Sequence, residues 1–297
     1  MDPRSSQNAK WYNASKPLKT RVATPLFDIV PLHGTQTIPA SELITVDVNY
    51  VEEMELRSKI MQDHRPSVLG ATPEIIPAVR ELYNWVISSY LPKRFPSMFT
   101  LRKEDSRIVI ECGSTHRRFP TVPDLDTTKA LEALGELVQE DILLLLPSYD
   151  EKDYVLKGFI NCYANGQSTH DRMHMKVTEI HGLVPGYQAK LGHTVAKFMS
   201  RLGDGDFVRR HNVFMRCERQ TFCRLPRTKA VLFFIRTCVY PISEVKEEGL
   251  GYELANAIDG LRSGSDPGIF SYKVGEVWAK PVTEYLRSEV LPTGQVL

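Results

Sequence analysis

Apolar residues recur at helical spacing along several stretches of the chain. Residues 77 to 90 place apolar side chains on one face, which predicts an amphipathic helix; these side chains are Val79, Leu82, Tyr83 and Val86. Pro73 and Pro77 leave the start of this helix open. A second helix is predicted after Thr127 or Thr128, either of which can cap it, and its apolar face carries Leu131, Leu134, Leu137 and Val138.

Stretches rich in β-branched and aromatic residues dominate the second half of the chain. They predict strands at residues 154–163, 175–181, 212–225 and 230–240, with a turn at Pro226–Lys229. Pro185 and Gly186 open another predicted helix, which Gly203 can end, and its apolar face carries Tyr187, Leu191, Val195, Phe198 and Leu202. Two more helices are predicted at residues 250–261 and 282–290. Helices grouped beside mostly sequential strands indicate an α+β fold with an antiparallel sheet.

The N-terminal residues 1–40 mix Ser, Asn, Lys and Pro without a sustained period, so we expect a loosely ordered arm there. A chain of 297 residues, 42% of them hydrophobic, can bury one large core or two modest ones. The chain contains neither an internal repeat nor a low-complexity tract. We therefore expect residues 41–297 to form a single domain.

The charge balance argues against a general affinity for polyanions. Lys+Arg 37 against Asp+Glu 36 gives a net charge of +1, so neither nucleic acid nor a membrane is an expected partner. The apolar run Ile142–Leu146 is far shorter than the ~20 residues of a membrane span, and the N-terminus has no apolar signal region. We therefore expect a cytoplasmic protein. Its five cysteines lack the paired spacing of a zinc or iron–sulfur site and are expected to be reduced thiols.

Two segments concentrate polar residues that are costly to bury without a partner. The first, residues 178–187 (TEIHGLVPGY), sets His181 between an apolar stretch and a Gly/Pro turn. The second, residues 216–226 (RCERQTFCRLP), packs charges and hydrogen-bonding side chains between strand-like flanks. These two segments are the candidate functional motifs.

His170 and His174, with Asp171 between them, offer an alternative metal-site interpretation. Two histidines four residues apart on a helix can clamp zinc, and an intervening acid can act as a base, as in zinc peptidases. Here Asp replaces the usual Glu, and the surrounding sequence is typical of a loop that enters a strand. A zinc hydrolase is therefore the least favoured interpretation.

Together the two motifs resemble the signature blocks of the haem-dependent oxidative N-demethylase family, in its haem-carrying alpha subunit and the fungal proteins similar to it. The resemblance extends from about residue 40 to 287 and includes residues 91–99 (LPKRFPSMF), residues 246–261 (KEEGLGYELANAIDGL) and Trp278. It implies a PAS-like antiparallel sheet with flanking helices that binds haem b. Family members usually carry an extra segment between Asn212 and Val213, and its absence here puts part of the pocket wall in doubt.

The resemblance also implies roles for individual residues. A haem iron needs one protein donor, and His181 is the expected ligand. The expected counter-ions of the haem propionates are the cations nearest to the motifs, Arg219, Arg224 and Lys176. For a small secondary amine, which is cationic at neutral pH, Glu218 and Tyr187 are the expected binding partners. Simpler interpretations stay open: a histidine that caps the following helix, and arginines that are solvated or paired across the sheet.

The implied activity is the oxidation of a small secondary amine with dioxygen at haem iron. The sequence has no Gly-rich dinucleotide fingerprint and no iron–sulfur cysteine cluster, so a separate reductase protein is expected to deliver electrons. The alternative is a PAS-like sensor or interaction domain without catalytic activity, because this scaffold serves signalling as readily as catalysis.

Overall fold

The computed structural model describes residues 35–164, 168–187, 192–213, 217–238, 241–263 and 268–288. Residues 1–34 of the expected N-terminal arm lie outside this part of the chain. Near the end of the expected arm, Gln36 and Thr37 pair with Arg209 and Val208 of the sheet.

The elements follow in chain order. The strands are β1 Gln36–Thr37, β2 Leu69–Ala71, β3 Phe99–Glu104, β4 Arg107–Cys112, β5 Arg118–Pro120, β6 Asp141–Pro147, β7 Tyr154–Ile160, β8 Phe207–Val213, β9 Cys217–Arg224 and β10 Val231–Cys238. The helices are α1 Tyr50–Asp63, α2 Arg65–Val68, α3 Ile76–Trp85, α4 Leu91–Arg94, α5 Thr127–Gly135, α6 Val177–Ile180, α7 Gly192–Arg201, α8 Ile242–Glu247, α9 Gly251–Ser263, α10 Gly268–Tyr272 and α11 Gly275–Arg287.

Within the described ranges, seven strands form one antiparallel sheet in the order β1-β8-β9-β10-β6-β7-β2. Strands β3, β4 and β5 form a second, three-stranded sheet. β8, β9 and β10 are neighbours both in sequence and in the sheet, whereas β10 then pairs with the much earlier β6. The expected α+β fold with an antiparallel sheet is confirmed.

Alternate residues of the central strands lie on opposite faces of the large sheet. The face that carries Leu144 and Leu232 packs against α1, α3 and α5, and we call it the inner face. The face that carries Leu145 and Val231 packs against α6 and α7, and we call it the outer face. The first candidate motif, residues 178–187, begins within α6, so it lies on the outer side of the sheet.

A buried ion pair fixes α1 to the sheet. Arg57 and Asp141 are 0% and 1% exposed, and Arg57 Nη1 lies 2.8 Å from Asp141 Oδ1. The same carboxylate accepts hydrogen bonds from the backbone N–H groups of Cys162 and Tyr163, at 2.8 and 3.0 Å. Because both charges are shielded from water, removing either one would leave the other buried without its counter-ion.

The α3 helix continues into a π-helical turn, Val86–Tyr90, and then into α4. Tyr90 Oη donates to the carbonyl oxygen of Ala40 at 2.8 Å and accepts from the backbone N–H of Ile44 at 3.1 Å. The tyrosine at the end of this turn therefore holds the segment that connects β1 to α1.

The four C-terminal helices, α8 to α11, pack around a separate apolar cluster, whose buried members are Ala255, Ile258, Phe270, Ala279 and Leu286. Lys246 Nζ of α8 donates to the carbonyl oxygen of Tyr285 in α11 at 2.7 Å. Of the helices that the structure describes, none has the length and apolar character needed to cross a membrane.

Two local predictions are wrong. The predicted strand at residues 175–181 is the short helix α6 and a turn, because the Asp153 carboxylate accepts from Thr178 N and Oγ1 and the Glu179 carboxylate accepts from the Lys176 N–H. Such local side-chain acceptors favour a helical turn over a strand ladder. The N-cap of α5 is Asp126 rather than either predicted threonine, because its carboxylate accepts from the N–H of Thr128.

Candidate functional site

His181 lies in the turn after α6, with its imidazole held by the backbone. Its Nδ1 is 2.8 Å from the carbonyl oxygen of Val177. A carbonyl oxygen can only accept, so Nδ1 carries the proton of this hydrogen bond. Burial lowers the pKa of His181, with Arg210 and Arg172 adding to the effect. The ring is therefore neutral at pH 7, and Nε2 keeps a lone pair for an acid or a metal ion.

Tyr187 stacks on this imidazole. The two ring centroids are 4.9 Å apart and the planes are 14° from parallel. Tyr187 is 4% exposed, and its hydroxyl has no hydrogen-bond partner among the described residues. Burial raises the pKa of Tyr187 to about 12. A buried hydroxyl without a partner is destabilising, so a ligand atom that forms a hydrogen bond with it would remove this cost.

The charge of Arg210 in β8 acts on both members of this pair. Its Nε donates to Gln220 Oε1 at 2.5 Å, and Gln220 Nε2 donates in turn to Glu218 Oε2 at 2.9 Å. The register of β8 and β9 produces this chain, because it sets Arg210 opposite Gln220. Burial lowers the pKa of Arg210, while Tyr187 and Glu218 act to raise it. A partly desolvated guanidinium of this kind can bind a carboxylate.

The outer face supplies an apolar floor beside these polar groups. Phe222 stacks on Phe233 with ring centroids 4.4 Å apart and planes 3° from parallel. Phe233 and Ile235 are only partly buried. Thr237, two residues further along β10, has a buried hydroxyl that lacks a hydrogen-bond partner within the described part of the chain. Polar and apolar groups therefore meet at the end of the sheet face that carries Glu218.

The C-terminal helices also contribute a residue. Lys273 precedes α11, and Val274 after it has a φ of 55°, an uncommon left-handed conformation for a β-branched residue. Burial lowers the pKa of Lys273, and the charge of nearby Glu218 opposes this. Lys273 thus brings a cation from a different part of the chain close enough to Glu218 for the two charges to interact.

The structure brings together three of the six expected site residues, namely His181, Tyr187 and Glu218, which share Arg210 as a neighbour. Sequence reasoning missed Arg210, Gln220, Thr237 and Lys273 as site residues. Strand alternation could have placed Gln220 on the same face as Glu218. Arg210 and Thr237 depend on the register of neighbouring strands, which a sequence alone does not give, and Lys273 comes from a distant part of the chain.

The other three expected residues lie elsewhere. Arg224 donates to the carbonyl oxygens of Met199 and Leu202, so it caps the C-terminus of α7. Arg219 is on the inner face, where it donates to the Glu42 and Leu43 carbonyl oxygens.

Lys176 is the third of these residues. It is partly exposed and lies 3.6 Å from Asp150, at the surface before α6.

The geometry of the zinc clamp is not present in the segment that contains His170 and His174. His170–Arg172 is a single 3-10 turn, and His174 has a φ of 67°. The two histidines are therefore not on successive turns of one α-helix. Across the described residues, no group of three or more His, Cys, Asp or Glu side chains could hold a metal ion.

A cavity of about 270 Å³ lies beside α6. Its lining residues are Ser168, Asp171, Arg172, Met175, Glu179, Ile180 and Leu183. This volume is below the ~300–1,000 Å³ of typical small-molecule pockets. His181 and Tyr187 are not among its lining residues, so this cavity is distinct from the site on the outer face.

These features define an α+β protein in which a neutral histidine, a buried tyrosine and a desolvated arginine meet on one sheet face. The sequence model of the family described as haem-dependent oxidative N-demethylase, alpha subunit-like, matches residues 34–215 and 211–283. The chain belongs to this family. A search of curated proteins found no match.

The two matched segments meet at residues 211–215, which is where family members are expected to carry the extra segment. In this chain β8 ends at Val213 and β9 begins at Cys217, and these two residues pair in the ladder between the strands. The strands on either side of the junction carry Arg210 and Glu218. The position expected to lack the extra segment therefore falls at the edge of the candidate site.

The residues present fit a haem group. His181 offers Nε2 as a ligand atom, and Arg210 offers a cation to a propionate. Phe233 and Ile235 offer partly exposed apolar surface. The buried hydroxyl of Tyr187 lacks a partner in the described residues, which is the state expected of a group that a ligand satisfies.

Proposed function

We propose that the protein binds haem b on the outer face of the large sheet, where His181 Nε2 would hold its iron. The observation that carries this proposal is the hydrogen bond from His181 Nδ1 to the Val177 carbonyl oxygen. This bond fixes the tautomer and the ring orientation, as second-shell partners of metal-binding histidines do. Burial, which lowers the pKa of His181, removes the proton that would compete for Nε2.

Arg210 takes the role of propionate counter-ion in this proposal, in place of Arg219 and Arg224. Its Nη atoms form no ion pair with a carboxylate of the described residues, and the Gln220 side chain holds its Nε. Tyr187 keeps the His181 ring in place by stacking and offers its hydroxyl to the ligand. The sheet that supports these residues is proposed to be PAS-like.

For the substrate we propose a small secondary amine. Glu218 is 6% exposed, so its carboxylate can attract a cationic amine in a partly dehydrated environment. The Tyr187 ring provides an aromatic face near the same end of the sheet. The charge of Lys273 interacts with that of Glu218, so an amine that binds this carboxylate must compete with the lysine ammonium group.

Bound haem would supply the iron at which dioxygen oxidises the amine. The protein residues bind and orient: His181 holds the iron, Arg210 sets the position of the propionates, and Glu218 attracts the amine. Electrons come from a separate reductase in this proposal. The description of the family as an alpha subunit suggests that other subunits take part.

A sensor or interaction domain that binds haem without turnover is the second candidate. The observation that favours it is the direct pairing of Val213 with Cys217, because the family's extra segment would otherwise extend the structure beside the site. In that case the partly exposed Phe233 and Ile235 face a protein partner rather than an amine.

An absorption spectrum of the full-length protein, titrated with haem, tests the proposal. We expect a Soret band that shifts on reduction, and we expect His181→Ala to abolish or markedly alter it. His170→Ala is the matched control, since His170 is an exposed histidine on the same segment and its loss should leave the spectrum unchanged. An unaltered Soret band in folded His181→Ala would exclude axial ligation by this residue.

A second measurement, on haem-loaded protein, distinguishes the enzyme from the sensor. Dimethylamine should perturb the spectrum and release formaldehyde when a surrogate reductant is added. If protein that carries haem shows neither the spectral change nor formaldehyde release, the sensor or interaction domain is favoured.

A further inference from the structure

One edge of the strand β8 is only partly covered. The two residues of β1 pair with Arg209 and Val208, and the N–H of Ile38 donates to the Phe207 carbonyl oxygen at 2.8 Å. Residues 210–213 of β8 have no strand partner on this side within the described part of the chain. Their outward backbone groups form an open edge, which natural sheets cover or protect.

The chain that leads into β1 reaches the sheet at this edge. The described residues begin at Thr35, and 34 residues precede it. Gln36 pairs with Arg209 and Thr37 with Val208, so each step back along β1 is a step forward along β8. A continued antiparallel ladder would therefore set residues 35, 34, 33 and 32 opposite residues 210, 211, 212 and 213.

The sequence of this segment suits such a ladder. Backbone N–H groups along a strand alternate between its two sides. The N–H of Ile38 points to β8, so the N–H groups of residues 36, 34 and 32 would point the same way, and none of these residues is a proline. Pro31 and Pro39 fall at the alternate positions, where the ladder needs no donor.

We propose that residues 32–35 extend β1 along the open edge of β8 and bring His33 to the rim of the candidate site. Arg210 is on the outer face, and the alternation of side chains places His33 on that face as well. The strand registers set His33 in one row with Glu218 of β9 and Thr237 of β10. With neighbouring strands about 4.8 Å apart, the Cα atoms of His33 and Glu218 would be about 10 Å apart.

The added strand would close the candidate site on the side of β8. It would also supply a second imidazole, which can form a hydrogen bond to a ligand bound over this end of the sheet. The strand extension does not depend on the proposed function. The role of His33 toward a ligand rests on it.

Amide hydrogen exchange of the full-length apo protein, measured by NMR, tests the extension. By the same alternation, the N–H groups of His211 and Val213 point to the open edge of β8. Gly34→Pro removes the donor that faces residue 211. We expect both amides to exchange about tenfold or more slowly in the wild-type protein than in this variant. His33→Pro is the matched control, because the N–H of residue 33 points away from β8 and its loss should leave both amides protected.

A disulfide trap provides a second measurement that does not rely on proline. Residues 33 and 212 would be a pair without ladder hydrogen bonds, with Cα atoms about 4.5 Å apart, which a disulfide can span. The double variant His33→Cys with Asn212→Cys should form a cross-link between these positions in a peptide map. Gly34→Cys with Asn212→Cys, on opposite faces, should not. Rapid exchange of both wild-type amides, protection that survives Gly34→Pro, or equal cross-linking of the two double variants would overturn the extension.

The role of His33 is measured separately by haem titration. His33→Ala should lower the haem affinity by about twofold to tenfold, as expected for the loss of one hydrogen bond. His64→Ala, at an exposed histidine after α1, should leave it unchanged. An unchanged affinity in His33→Ala would exclude a contact between His33 and haem. Slow exchange in protein that does not bind haem would refute the proposed function and keep the extension, and haem binding with rapid exchange would do the reverse.

Discussion

Replacement of Tyr187 by phenylalanine tests whether the tyrosine hydroxyl binds a ligand or stabilises the fold. Tyr187 is 4% exposed, and its hydroxyl has no partner among the described residues. A buried hydroxyl without a hydrogen bond costs about 1–3 kcal/mol. Phenylalanine removes this cost and keeps the ring stacked on His181. We therefore expect Tyr187→Phe to raise the free energy of unfolding of the apo protein by about 1 kcal/mol or more.

The same substitution should weaken ligand binding. If a haem atom or its bound water satisfies the hydroxyl, the variant loses one hydrogen bond, which contributes about 0.5–1.5 kcal/mol. At 1.4 kcal/mol per factor of ten, the haem affinity should fall by about twofold to tenfold. Urea unfolding of the apo protein, with an unchanged m-value, measures the first effect, and a haem titration measures the second.

Tyr83 provides the matched control. It is 1% exposed, and its hydroxyl donates to the Pro120 carbonyl oxygen at 2.7 Å. Tyr83→Phe should therefore lower the free energy of unfolding by about 1 kcal/mol and leave the haem affinity unchanged. The reasoning is refuted if Tyr187→Phe destabilises the apo protein as much as Tyr83→Phe does, or if haem affinity does not change.

Two further predictions concern stability. Asp141→Ala should lower the free energy of unfolding by about 3–5 kcal/mol, because it leaves Arg57 buried without its counter-ion. Arg65→Ala, at a partly exposed ion pair, should lower it far less in the same urea assay. Equal losses in the two variants would contradict the importance of burial for the Arg57–Asp141 pair. Because the pKa of His181 is lowered below its ordinary 6.5, the unfolded state gains a proton first as the pH falls. The stability that His181 contributes is thus present above about pH 6.5 and is lost below it, and urea unfolding of His181→Ala should show a shallower pH dependence in this range.

The elements that could be predicted from the sequence are those with local signals. The α5 helix has a regular apolar face, and the hairpin of β9 and β10 is marked by the turn at Pro226–Lys229. Residues 175–181 were predicted wrongly because β-branched composition was weighed above the local acceptors Asp153 and Glu179. The helix predicted after Pro185 is confirmed from Gly192 to Arg201, and residues 188–191 lie outside the described chain.

The candidate site was predictable only in part. Family resemblance singled out His181, Tyr187 and Glu218, whose roles in binding remain predictions. The β8–β9 register that sets Arg210 opposite Gln220 was missed because residues 212–225 were predicted as one strand, whereas β8 ends at Val213 and β9 begins at Cys217. Arg224 was expected near haem because it is close in sequence to the motif, but tertiary folding brings the C-terminus of α7 to it instead.

The π-helical turn at Val86–Tyr90 sets the direction in which the side chains of Tyr90 and the following helix α4 point. One residue of an α-helix subtends about 100°, so a deletion that converts the turn to regular α-helix would rotate Tyr90 and α4 by about that angle. Tyr90 would then point away from Ala40 and Ile44. A single extra residue in one helix thus determines where the segment between β1 and α1 is held. The same segment accepts a hydrogen bond from Arg219 on the inner face of the sheet, at the Leu43 carbonyl oxygen.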